Sequence, residues 1–222
     1  MRYGHLLQAA LVVIALAHDT PRELATKARL EALLAKYDLR DYTFTREVVI
    51  EERAMNHAFP TLTLHPFADD DQLLSAYIHE QIHWHLRQHR SQQEAAIAEL
   101  RRLYPGVPAG LPEGAETPYS TYGHLVTCYL EMLADRRLLG DERAAAAIGS
   151  KVHYTWIYAT VLRDEAKIAA VVARHGLGIL RGRAGVPPAG LAPSRRRGGG
   201  TPPIQPARTP ARPVVTSPRS RP

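Results

Sequence analysis

The residues with the clearest capacity for chemistry are two histidines and a glutamate in the run His79-Glu80-Gln81-Ile82-His83. On a helix, residues four apart lie about 40° from each other around the axis, so both imidazoles project from one face and can share an ion. Glu80, turned about 100° from His79, borders that face and is well placed to accept a proton from an attacking water. This pattern predicts a zinc site with its own general base.

The competing interpretation is that these side chains are ordinary interior residues, since the chain has 11 histidines and accidental pairs arise easily. Two features favour a metal site. The pattern lies within an amphipathic helical stretch that directly follows a strand-like segment. In addition, two buried histidines with a carboxylate between them would be costly without a partner.

A catalytic zinc site usually has three protein ligands, so a third is expected from another element. His124, Cys128, Glu131 and Asp135 follow one another at spacings of four, three and four, which places them on one face of a second helix. We expect Glu131 to be the ligand and Asp135 to accept the free N–H of a ligating imidazole. His124, or a Cys128 thiolate, could replace Glu131, although Cys128 also fits an ordinary core residue.

Together these residues resemble the gluzincin, or thermolysin-like, branch of the zincin metallopeptidases, whose pattern is H-E-x-x-H followed by E-x-x-x-D. The resemblance implies that His79, His83 and Glu131 bind zinc. It also implies that Glu80 is the general base and that Asp135 supports a histidine ligand.

The same resemblance implies an edge strand ahead of the metal-binding helix that aligns the substrate backbone, and Thr61 to His65 is placed where that strand is expected. The match covers residues 61–139, and the helical sequence after Gly140 is not assigned by it.

Hydrolysis also needs a donor for the negative charge on the tetrahedral intermediate. The candidates are Tyr122, His124, His153 and Tyr154. Tyr122 lies nine residues before Glu131, where the thermolysin-like group carries a substrate-facing tyrosine. His153 and Tyr154 come from a segment rich in aromatic and hydrogen-bonding side chains, for which interior packing is the alternative interpretation.

Periodicity and capping residues predict a mainly α fold with a small β-sheet (α+β), arranged like a zincin. The expected order is one helix, two short strands, a long helix or two in series, an irregular loop and several further helices. These elements are expected at 21–37, 47–52, 61–65, 70–102, 104–118, 120–139, 141–148 and 150–174.

The two ends of the chain differ from this central domain, which we place at 18–180. Met1 to Ala17 contains an apolar run that fits either a signal peptide or an N-terminal helix, so the compartment is secreted or periplasmic in the first case and cytoplasmic in the second. Residues 181–222 hold nine arginines, ten prolines and no acidic residue, which predicts a disordered basic tail. Such a tail can contact anionic surfaces, but it lacks aromatic residues for stacking, and we expect no specific nucleic-acid role.

These observations predict a small zinc-dependent hydrolase, a metallopeptidase acting on a peptide or protein substrate. Two alternatives stay open: a noncatalytic binding module of zincin shape, and a zinc hydrolase that acts on a non-peptide amide. Cleavage preference, endo- or exopeptidase action and oligomeric state do not follow from the sequence.

Overall fold

A computed structural model describes residues 12–179; residues 1–11 and the predicted tail at 181–222 lie outside the described residues. The fold is mainly helical with one small sheet, which confirms the α+β class. Its elements in chain order are β1 (Val13–Leu16), α1 (Pro21–Lys36), a 3-10 turn (Arg40–Tyr42), β2 (Glu47–Ile50), β3 (Leu62–Leu64), α2 (Asp70–Gln88), α3 (Arg90–Leu103), α4 (Pro118–Leu139), α5 (Asp141–Gly149), α6 (Thr155–Arg163) and α7 (Glu165–Arg174).

The described end of the N-terminal apolar run, Val13–Leu16, is a strand and not the helix that was one of the two alternatives for this run. This segment, β1, pairs in parallel with β2, and Ile14 is buried in the core. Adjacent β-branched residues at 13 and 14 explain the outcome, because they favour a pleated, half-buried surface over a helix. The signal-peptide interpretation stays a prediction.

All three strands are parallel and lie in the order β1-β2-β3. Parallel neighbours need a connection that returns the chain to its starting end. Between β1 and β2 that connection contains α1. Between β2 and β3 it is an irregular segment, residues 51–61, which comes back antiparallel along the outer edge of β3 through the bridge between His57 and Thr63. This segment therefore covers the edge of β3 that was expected to align the substrate backbone.

Capping residues set the start of the helices around the site. Thr20 and Glu23 form a reciprocal capping box at the start of α1, and Asp69 accepts a hydrogen bond from Gln72 N–H at the start of α2. The long helical stretch expected at 70–102 is two helices in series, divided at His89. The stretch expected at 150–174 begins only at Thr155.

The central helix is α4, which contacts α2, α3, α5, α6 and α7. Buried residues occur on every side of it, so it lacks a polar face, as expected for a helix in the middle of a domain. None of the helices within residues 12–179 combines the length and apolar character that a membrane span requires.

Gln81, inside the His79–His83 run, anchors the loop before β2 to α2. Its side chain is fully buried; Oε1 accepts hydrogen bonds from the backbone N–H groups of Phe44 (2.7 Å) and Thr45 (2.9 Å), and Nε2 donates to the Thr45 carbonyl (2.8 Å). One amide thus satisfies three backbone groups.

Replacing this amide should destabilise the whole domain. We expect Gln81→Ala to lower the free energy of unfolding by about 2–4 kcal/mol, because it leaves three partly buried backbone groups without partners and opens a cavity where the buried side chain was. Urea denaturation measures the change. The matched control is Gln92→Ala, at an exposed position of α3, which should stay within about 0.5 kcal/mol of the wild type. Equal effects of the two substitutions would contradict this role.

Candidate metal centre

Helices α2 and α4 run antiparallel beside each other, as their side-chain contacts show. Ser75, near the start of α2, contacts Glu131 and Asp135 near the end of α4. Two turns further along α2, the His83 ring lies against the His124 ring of α4, with 4.9 Å between centroids. Residues later in α2 therefore contact residues earlier in α4.

Three imidazoles converge between these helices. The candidate ligand atoms of His79, His83 and His124 all lie within 4.8 Å of one another. Nε2 of His79 and Nε2 of His83 are 3.2 Å apart. Two nitrogens that share a tetrahedral zinc at 2.0–2.1 Å are about 3.3 Å apart, so this pair already has the separation that the ion requires.

Hydrogen bonds orient two of the rings for coordination. His79 Nδ1 donates to Glu131 Oε2 at 2.7 Å, and His124 Nδ1 donates to the Ser120 carbonyl at 2.8 Å. Both acceptors lack a proton, so each Nδ1 carries one and Nε2 is the nitrogen left to bind a metal. At His79 burial opposes a charge, but the Glu131 carboxylate outweighs it and raises the pKa of the imidazole, so metal binding there would displace a proton. Fixing the tautomer in this way prepares an imidazole for a metal.

The environment also keeps two of the imidazoles uncharged. Burial, reinforced by the neighbouring His79, lowers the pKa of His83 well below its ordinary value and that of His124 to about 4. Neutral imidazole is the form that binds metals, so both rings are in the required state at neutral pH.

Glu131 takes a different position from the one expected of a ligand. Its fully buried carboxylate accepts four hydrogen bonds, from His79 Nδ1 (2.7 Å), Tyr158 OH (2.7 Å), Ser75 Oγ (2.7 Å) and Lys151 Nζ (2.8 Å). It therefore contacts the nitrogen of His79 that faces away from His83. In the structure Glu131 orients His79, a role that was expected for Asp135. The residue that lies close to both His79 and His83 is His124.

The antiparallel register explains this exchange of roles. His124 precedes Glu131 by seven residues, about 10 Å along α4. His124 is the one of these α4 residues that lies opposite the space between His79 and His83, and its ring contacts both of their rings. Asp135, a further turn away, contacts Ser75 (2.8 Å) and makes no hydrogen bond to an imidazole within residues 12–179.

Ser75 connects the two buried carboxylates through one hydroxyl. Its Oγ accepts from Lys151 Nζ (2.9 Å) and lies 2.7 Å from Glu131 and 2.8 Å from Asp135. A hydroxyl has one proton to donate, so one of the two carboxyl groups must itself be the donor. Burial and the Glu131 charge raise the pKa of Asp135, which identifies Asp135 as the protonated member.

A second group of candidate ligands joins His79 with Cys128 and Glu131. Cys128 is fully buried, and burial raises the pKa of its thiol well above the ordinary value. Glu131 in this group is already saturated by four donors. Its members are therefore less suited to a metal than the three histidines.

Glu80 lies beside the metal-ligand candidates in an open cleft of about 750 Å³. The residue is 6% exposed, and its carboxylate makes no hydrogen bond to any other residue that the structure describes. Burial raises the pKa of Glu80 to about 7, and the nearby Glu131 charge adds to the effect. A carboxylate in this setting can take up a proton near neutral pH.

Tyr154 and His153 line the same cleft. The Tyr154 ring stacks on His79, with 6.0 Å between centroids, and lies 4.5 Å from the His124 ring. Burial raises the pKa of Tyr154 to about 12, so its hydroxyl is a neutral donor. Tyr154 has a left-handed backbone (φ 60°) at the start of α6, a conformation that a tyrosine rarely adopts. His153 is exposed at the rim.

Tyr122 is not among the residues that line the cleft. Its side chain is buried in the core, where its hydroxyl donates to the Tyr104 carbonyl at 2.7 Å. The nine-residue spacing from Glu131 places Tyr122 on another face of α4.

Three residues of the site were not expected from the sequence: Ser75, Lys151 and Tyr158. Ser75 lies four residues before His79 and Tyr158 lies four residues after Tyr154, a helical spacing that could have indicated both. Lys151 belongs to the loop between α5 and α6, and no periodicity connects it with α2 or α4.

Comparisons of the chain with protein-family models, with curated proteins and with solved structures find no match.

The relative importance of His124 and Glu131 can be measured by zinc affinity. Because Glu131 contacts His79 rather than the shared space, we expect Glu131→Gln to weaken zinc binding about 10–100-fold and His124→Ala to weaken it more. Competition with a chromogenic chelator gives both values, and circular dichroism checks that each variant is folded. His153→Ala is the matched control and should retain wild-type affinity. A larger loss in Glu131→Gln than in His124→Ala would contradict this assignment.

Proposed function

We propose that the protein is a zinc-dependent hydrolase that cleaves a peptide bond or a closely related amide. His79, His83 and His124 would hold the ion, and Glu80 would act as general base. The observation that carries this proposal is the convergence of three imidazoles, two with their tautomer fixed by hydrogen bonds, beside a buried carboxylate that faces a cleft.

The number of protein ligands favours catalysis over a structural site. Structural zinc sites use four protein ligands, whereas catalytic sites use three and leave a position for water or substrate. When bound, zinc supplies Lewis acidity, which lowers the pKa of a coordinated water and polarises the scissile carbonyl.

Glu80 supplies the proton transfers in this proposal. It follows His79 on α2 and borders the cleft, so its carboxylate can accept a proton from the attacking water and pass it to the leaving amine. Burial raises the pKa of this cleft-lining carboxyl group to about 7, which suits proton transfer near neutral pH. A noncatalytic binding module would have no need of such a group, which supports the enzyme over that alternative.

Tyr154 is the donor we assign to the developing oxyanion. Its ring is held against His79 and His124, and its hydroxyl makes no hydrogen bond within the described residues, so it is free to donate to a bound substrate. His153 lies at the exposed rim of the cleft and is the weaker candidate.

The proposal retains a zincin-like architecture, in which the helix carrying His79 and His83 follows the strand β3. It departs from the gluzincin pattern in two respects. The third ligand is His124 rather than Glu131, and Asp135 does not support a ligating histidine.

Removing the base should abolish turnover and spare the metal. We expect Glu80→Gln to reduce kcat about 10²–10⁴-fold, because the proton acceptor is lost while the three imidazoles remain. Peptide hydrolysis and bound zinc are measured on the same sample. Glu142→Gln, at an exposed site on α5, is the control. Full activity in Glu80→Gln, or a purified folded protein that binds no zinc, would refute the proposal.

Tyr154→Phe removes the hydroxyl and keeps the ring. We expect kcat and kcat/KM to fall together by about 10²-fold, as for an interaction made only in the transition state. Tyr119→Phe, at an exposed position of α4, should leave both unchanged. An increase in KM with constant kcat would instead indicate that Tyr154 serves ground-state binding.

A further inference from the structure

The outer edge of β3 is already occupied by the chain itself. In β3 the backbone groups of Leu62 and Leu64 face β2, and those of Thr63 face outward. Thr63 N–H donates to the His57 carbonyl (2.8 Å), and Thr63 C=O accepts from His57 N–H (3.1 Å). The next outward group, His65 N–H, donates to Asn56 Oδ1 at 2.8 Å.

We call residues 53–58 the wall segment, because they lie along this edge and border the cleft. Hydrogen bonds from two side chains hold the wall segment near both of its ends. Trp84 Nε1 donates to the Ala58 carbonyl (2.9 Å), and His65 Nδ1 donates to the Ala54 carbonyl (3.2 Å). Met55 and Asn56 line the same cleft as His79 and Glu80.

An extended peptide that adds to a sheet gains its affinity from main-chain hydrogen bonds along the edge strand. Since Thr63 and His65 have no free outward N–H, β3 cannot offer those bonds while the wall segment is in place. Substrate is therefore recognised by the cleft surface and not by pairing with β3.

The cleft surface indicates what kind of group it takes. Two apolar side chains that line it, Met55 and Val152, are 61% and 70% exposed. Lys151 also lines the cleft, but its charge is paired with Glu131. The remaining charged lining residue is Glu80, which the proposed function assigns to proton transfer. No charged group is left among the described lining residues to select a charged substrate side chain.

We infer that the protein acts on short amides with uncharged apolar side chains, which bind without pairing to β3. A cleft of about 750 Å³ has the size of a small-ligand site, which fits a substrate of about two or three residues. This inference rests on the proposed function. It sets the substrate apart from extended segments of larger proteins.

The test is a length series on the zinc-loaded full chain. Peptide hydroxamates built from alanine and leucine, from one to six residues long, are titrated by calorimetry, and kcat/KM is measured on peptides of two to six residues. We expect affinity and kcat/KM to level off or fall beyond three residues. Strand pairing would instead raise the affinity about tenfold or more over the added residues.

The outcomes separate the inference from the proposed function. Affinity that keeps rising with length would overturn the short-substrate inference and leave the hydrolase proposal intact. Failure of every hydroxamate to bind, together with a chain that holds no zinc, would refute both.

Two variants at one position test the wall segment without relying on activity. Asn56→Ala removes the acceptor for His65 N–H, so exchange of the His65 amide hydrogen should accelerate about tenfold or more. Asn56→Asp replaces the amide oxygen by a carboxylate oxygen that can accept the same hydrogen bond, so it should stay close to the wild type. Asn56→Ala should also bind the six-residue hydroxamate more tightly than the wild type. Unchanged exchange of the His65 amide in Asn56→Ala would overturn the assignment of residues 53–58 as the wall.

Discussion

The carboxylate of Glu131 is the interaction on which the rest of the site depends. Its four donors come from α2, the loop before α6, and α6, while Glu131 itself lies on α4. A buried carboxylate is tolerated only when it is paired and fully hydrogen-bonded, and here Lys151 supplies the opposite charge. One side chain thereby fixes the ring of His79, the position of the loop that carries Tyr154, and the packing of α2 against α4.

Much of the fold follows from local sequence. Thr20, Pro21 and Asp69 mark helix starts by chemistry that acts within one turn, so the starts of α1 and α2 could be predicted closely. The strand at Val13–Leu16 was harder, because a short apolar run suits a helix as well as a strand until its partner is known. Its partner, β2, lies more than thirty residues away.

The site residues likewise fall into two groups, those that the local sequence brings together and those that only the tertiary fold brings together. His79, Glu80 and His83 share one helix, whose geometry alone brings them together. The third imidazole depends on how far α4 is shifted along α2, and the spacing of His124, Glu131 and Asp135 within α4 carries no information about that shift. Lys151 could not be anticipated either, since a loop residue reaches its partner only through the tertiary fold.

The single hydroxyl proton of Ser75 has an electrostatic consequence for the cleft. With Asp135 protonated, the negative charge of Glu131 and the positive charge of Lys151 cancel, so the buried cluster behind His79 has no net charge. His83 and His124 are neutral as well. A divalent ion held by such imidazoles would keep most of its charge in a poorly screened interior. Its field would be directed toward the cleft, where Glu80 is the one formal countercharge among the described lining residues.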